Sequence, residues 1–112
     1  MAKPASRAHS RYAHDAVKLL GLMIRSARIE QRVTVAELAE RAGVSRGLLH
    51  RIERGQPGCS IGAVFELASV VGLRLFDAEP TTLANYLTMQ RSNLTLLPQA
   101  ARKSFGKVKE DF

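Results

Sequence analysis

The stretch ELAERAGVSRGLLHRIERG, Glu37 to Gly55, decides how the chain folds. Two short runs of helical apolar spacing meet in it at Gly43, and the second is dense in arginine. Just upstream, TVAE from Thr34 to Glu37 spells a capping box, in which the threonine hydroxyl accepts from the Glu37 amide while the glutamate carboxylate reaches back. A helix is expected over about Val35 to Arg41, with Leu38, Ala39 and Ala42 inward. Gly43 can take the positive φ that stops it, Ser45 can cap a following helix from Arg46 to Arg54, and Gly55 can close that one. Only Gly43, Val44 and Ser45 lie between the two. So short a link makes the helices cross steeply instead of pairing as an antiparallel hairpin.

With Leu49 and Ile52 as the inward centre of the second helix and a step of about 100° per residue, Gly47, His50, Arg51 and Arg54 face outward and Arg46 flanks them. The charges on that face are all basic. Gly47 leaves a place with no side chain, where a second surface can approach the backbone. A helix entering the major groove of DNA needs long donors, a small residue at closest approach and a positive N-terminal dipole near phosphates. A solvated basic face is the plain alternative, and the glycine turn and serine cap before it favour a helix-turn-helix.

Outward from this pair, Ala13, Val17, Leu20, Ile24 and Ala27 form an apolar stripe on a helix from about Tyr12 to Gln31, which Gly21 weakens slightly. Ser60 caps another helix, with Ile61, Val64, Phe65, Ala68 and Val71 at helical spacing and Gly72 after it. LRLF then alternates Leu73, Arg74 and Leu75 before Phe76, the period of a short strand. Leu83, Tyr86, Leu87, Leu94 and Leu97 suggest a last, less regular helix stopping near Ser92. The expected class is all-α, a five-helix domain over residues 12–97 with one short strand. Residues 1–11 are expected as a flexible basic arm, and residues 98–112 as a flexible basic tail.

The 112 residues suit one domain, and 46% apolar with 24% charged residues is a globular composition. A net charge of +7 favours polyanionic partners. No apolar run approaches the ~20 residues of a membrane span, and the start MAKPASRAHSRYAH lacks the apolar segment of a signal peptide, so a cytoplasmic protein without membrane contact is expected. Cys59 stands alone, which precludes an internal disulfide. His9, His14 and His50 show no metal-ligand spacing with Cys59 or a carboxylate, and neither a phosphate-binding glycine loop nor a nucleophile elbow occurs. No enzyme, metal or other cofactor is expected.

Arg25 to Gly55 followed by Ser60 to Phe76 resembles the lambda-repressor-like, XRE-type helix-turn-helix family in order and spacing over roughly Leu20 to Phe76. The resemblance implies a transcriptional repressor reading the major groove of a palindromic double-stranded operator. It implies that Arg46, Gly47 and Arg51 face base edges, that Ser45 and Arg54 lie near phosphates, and that the start of the second helix touches the backbone. Val35 stands where the family commonly has glutamine, which leaves Thr34 for the backbone contact there. Leu48 replaces a small polar residue, to pack at the core boundary or touch a thymine methyl. His50 is a base or phosphate contact. The resemblance also pairs Arg28 with Glu53 as a structural ion pair. Glu53 sits about 70° from the inward direction of its helix, a position where a partly buried carboxylate wants a partner.

One such domain reads few base pairs, so a homodimer addressing two half-sites is expected. Leu73, Leu75 and Phe76 are candidates for its interface, through strand pairing across a twofold axis, with an extended linker as the alternative. The order of elements and the ending KVKEDF also resemble antitoxins of the HipB type. These neutralise HipA-like serine/threonine kinase toxins and repress their own operon, and Phe112 would then be a candidate anchor on the toxin. A stand-alone XRE-type regulator and an adaptor without DNA binding are the alternatives.

Overall fold

The computed structural model describes residues 9–100, and within them every regular element is helical. The chain forms two compact units that meet in sequence between Asp77 and Ala78. The basic arm before His9 and the tail after Ala100, Phe112 included, lie outside the described residues.

The first unit contains α1 (Arg11–Glu30), α2 (Val35–Ala42), α3 (Arg46–Glu53) and α4 (Ile61–Val70). Each begins at a hydroxyl cap. The side chains of Ser10, Thr34, Ser45 and Ser60 accept from the amides of Ala13, Glu37, Leu48 and Ala63, satisfying donors that have no partner inside a helix. Thr34 completes its box by donating its own amide to Glu37 Oε1 at 2.8 Å. Between α2 and α3, Gly43 takes a φ of 71° and its amide bonds back to the Glu40 carbonyl. The chain thus leaves α2 by a left-handed residue, and the Val44 amide returns to Ala39.

Ile24, Leu38, Leu49 and Leu67, one from each helix, are fully buried and form the centre of the core. Ala39, Ile52, Ala68 and Val71 extend it, and Val35 and Leu48 pack against it half-buried. α2 rests on α3 and α4, while α1 crosses α3. At that crossing Gly21 is buried, and a Cβ there would overlap the Ile52 carbonyl oxygen. The glycine that weakens α1 in isolation is therefore what lets α3 approach it. Towards the start of α1 the apolar stripes of α1 and α4 diverge. Val17, Leu20, Ile52, Ile61, Val64 and Phe65 line an open groove of about 320 Å³ there, and Ile61 is 70% exposed.

After α4 the expected strand is absent. Gly72 turns the chain at φ 88°, the Leu73 amide bonds to the Ala68 carbonyl, and Leu75–Asp77 form a 3₁₀ turn with Phe76 and Asp77 at φ 55° and 53°. The alternation itself is real: Leu73 and Leu75 lie half-buried against the core, whereas Arg74 and Phe76 are exposed. A four-residue strand without a neighbour leaves its backbone unpaired. Folding back on α4 buries the same leucines and lets Phe76 meet Phe65 edge-on, with ring centroids 6.2 Å apart.

In the second unit α5 runs Pro80–Thr95, earlier and later than the apolar pattern suggests. Pro80 at its first turn starts the helix instead of breaking it, because a helix's first amides need no partner within it. None of its residues is buried.

Candidate nucleic-acid interface

Helix α3 divides its residues between core and solvent, with Leu48 at the boundary. Leu49, Ile52 and Glu53 are buried, while Arg46, Gly47, His50, Arg51 and Arg54 are all exposed. Arg54 is the C-cap residue, so the basic face covers the whole helix and its end. Ser45 and Thr34 stand exposed at the N-caps of α3 and α2. Each uses an oxygen lone pair for its cap; the Ser45 hydroxyl hydrogen can be donated outward, whereas that of Thr34 is turned to the Glu37 carboxylate.

Gly47 explains part of the arrangement. Around the place where its Cβ would stand, the nearest atoms are Arg51 Nη1 at 3.7 Å and Ser45 Oγ at 4.0 Å. The Arg51 guanidinium thus lies back over Gly47 towards the N-terminal end of α3. Ser45, Gly47 and Arg51 are brought together there, a planar donor fork beside bare backbone and a hydroxyl. Such a fork can meet a guanine edge or a phosphate with two parallel hydrogen bonds.

Behind this surface lies the buried ion pair that holds α3 in place. Arg28 Nε donates to Glu53 Oε2 at 2.7 Å and Nη2 to Glu53 Oε1 at 3.1 Å, while Nη1 donates to the Val33 carbonyl at 3.0 Å. The two side chains are only 12% and 5% exposed. One guanidinium therefore joins the end of α1, the link into α2 and the end of α3. Donating to Glu53 holds the Arg28 pKa above its ordinary value against the opposing effect of burial, so the cation persists throughout the working pH range. A second tie, from Gln31 Nε2 to the Val71 carbonyl at 2.8 Å, fastens the end of α1 to the end of α4. Neither the Val33 bond nor the Gln31 tie has a signal in the sequence, because each ends on a backbone carbonyl.

The departures of this sequence from the family pattern also find places. Val35 is half-buried against the core, so it presents no side-chain donor at the start of α2. Leu48 packs at the core boundary. Of the three candidate interface residues, Leu73 and Leu75 pack on their own core, and Phe76 stays 71% exposed beside Phe65. His9 and His14 are exposed. Cys59 lies half-buried beside the α1–α4 groove, its thiol 3.4 Å from the Gln56 carbonyl.

Two helices joined by the three-residue turn Gly43–Ser45 on a four-helix core, the second presenting an outer face whose charges are all basic, define a helix-turn-helix domain. The chain belongs to the helix-turn-helix domain family, of the XRE-like kind, whose profile matches residues 19–79. That membership suggests a DNA-binding regulator. Comparison with curated proteins gives no match. No helix among the described residues is long and apolar enough to cross a membrane.

Proposed function

We propose that the protein is a sequence-specific transcriptional repressor that lays α3 in the major groove of an operator. The observation that carries this reading is the basic outer face of α3 around Gly47, where bare backbone and the Arg51 guanidinium lie side by side. Arg46 and Arg51 read base edges, with Gly47 at closest approach. Thr34, Ser45 and Arg54 hold phosphates, and His50 supplies a further base or phosphate contact. Arg28 and Glu53 serve the fold. The protein binds its operator as a homodimer in the cytoplasm, because two half-sites set one helical turn apart supply the site length that one α3 lacks. The basic segments 1–11 and 98–112 act as arms around the domain of residues 12–97.

In the finer reading the protein is a HipB-like antitoxin that neutralises a HipA-like serine/threonine kinase and represses its own operon. Its support is the resemblance in element order and in the ending KVKEDF, with Phe112 as the anchor on the kinase. A mobility-shift experiment on DNA upstream of the protein's own gene, with and without the product of the neighbouring gene, tests both levels. Retardation by the protein alone supports the repressor, and a larger complex formed with a kinase-like neighbour supports the antitoxin. Retardation with no copurifying neighbour leaves a stand-alone regulator. Failure to bind DNA even at low salt leaves only an adaptor.

A further inference from the structure

α1 carries two apolar faces, and the core uses one of them. Leu20, Ile24 and Ala27 point inward. On the other side, Leu19, Leu22, Met23 and Ile29 are between 43% and 59% exposed among the described residues. At about 100° per residue these four fall within ~120° of one another, and the middle of their stripe lies roughly 160° from Ile24. Single exposed leucines are ordinary on a protein surface, whereas a contiguous apolar stripe marks an interaction site. The stripe also has the narrow spacing of a coiled-coil seam. Tyr12, Asp15, Leu19, Leu22, Ser26 and Ile29 follow one another at intervals of three and four, the a and d positions of successive heptads, over about 27 Å of helix. Beside the seam Arg11, Lys18 and Arg25 recur at every seventh residue, all exposed and none in an ion pair with a described residue.

We propose that the outer face of α1 is the docking site of an amphipathic helix from another protein, one whose apolar seam is flanked by carboxylates. Leu19, Leu22 and Ile29 hold the partner by burial, and the basic row chooses it, because charges beside a helical seam act on pairing more than on affinity. A second copy fits poorly. An antiparallel twin sets the basic row against itself, and a parallel twin in register sets Asp15 against Asp15. An anionic membrane fits no better, because Asp15 lies inside the stripe and its charge would have to enter the headgroup boundary with it. A protein helix avoids both conflicts by placing acids along the basic row and a cation opposite Asp15.

Two synthetic three-heptad peptides serve as probes, both with leucine at a and d, one with glutamate and the other with lysine at every flanking position. Each is titrated with the full chain at physiological salt without DNA and followed by fluorescence anisotropy, so the result does not depend on the DNA reading. The glutamate peptide is expected to bind in the tens-of-micromolar range or tighter, at least about tenfold better than the lysine peptide. Leu19→Ser/Leu22→Ser should abolish that binding, and Arg11→Glu/Arg25→Glu should reverse the preference between the peptides. Melting curves report whether the variants stay folded; if the serine pair does not, the exposed arginine pair decides. No binding, or equal binding of the two peptides, overturns the proposal. So does binding of the glutamate peptide that ignores Leu19→Ser/Leu22→Ser, which is the general attraction of a +7 chain for acid. A dimer in sedimentation that the serine pair dissolves makes a second copy the occupant instead, and binding to phosphatidylglycerol vesicles that the serine pair abolishes makes it a membrane; either result overturns the partner helix.

Discussion

Gly47 occupies the first turn of an exposed helix, where, the backbone of α3 aside, the nearest atom to a would-be Cβ among the described residues is Arg51 Nη1 at 3.7 Å. The fold therefore does not require glycine at this position, and helix propensity disfavours it. Gly47→Ala is expected to leave the melting temperature unchanged or raise stability by up to about 0.5–1 kcal/mol. The same methyl would stand at the closest approach of α3 to DNA, so operator affinity should fall in a titration while the protein folds as well as before. Unchanged affinity would remove Gly47 from the interface. Arg28 behaves in the opposite way. Arg28→Ala leaves the Glu53 carboxylate buried without its partner and should cost ~3–5 kcal/mol in denaturant unfolding, lowering DNA binding only as far as folded protein is lost. A variant that melted normally and failed to bind would make Arg28 a DNA contact instead.

At the scale of elements, the sites where chain meets chain decide more than propensity does. Gly21→Ala would raise the intrinsic helicity of α1, yet its methyl would overlap the Ile52 carbonyl. The expected outcome is a loss of roughly 1–3 kcal/mol or more by overpacking, read by thermal melting. The capping box gives α2 a pH dependence. Bonds from the Thr34 amide and hydroxyl, aided by Arg41, hold the Glu37 carboxyl below its ordinary pKa. A carboxylate with a depressed folded value stabilises the fold fully above its unfolded pKa, near 4.3, and loses that contribution as pH falls through the folded value. Acid unfolding of Glu37→Gln should therefore be less steep below about pH 4.3 than that of the wild type. The caps, the Gly43 turn and the inward leucines are legible in the sequence because each is a local signal with a local cause. Leu73–Phe76 misleads because a period of two records which side chains face the core and not whether the backbone is extended. The start of α5 at Pro80 escapes the apolar pattern because the first turn of a helix accepts proline without an apolar side chain to mark it.

Over the whole molecule, the distribution of charge sets how DNA is held. Each phosphate neutralised contributes a slope of about −0.9 to log K against log salt, so Arg54→Ala should shallow the slope by about one and weaken operator and random DNA alike. The identity of the base readers depends on geometry that sequence spacing places only approximately. The way Arg51 folds back over Gly47 shows in the structure alone. The most direct measurement is the affinity of wild type, Arg46→Ala and Arg51→Ala for the upstream duplex and for a scrambled duplex at one fixed salt concentration. A major-groove reader predicts tight binding to the upstream duplex, losses of roughly 1–3 kcal/mol there in each variant, and much smaller losses on scrambled DNA. Equal losses on both duplexes, or no wild-type binding to either at low salt, would contradict it.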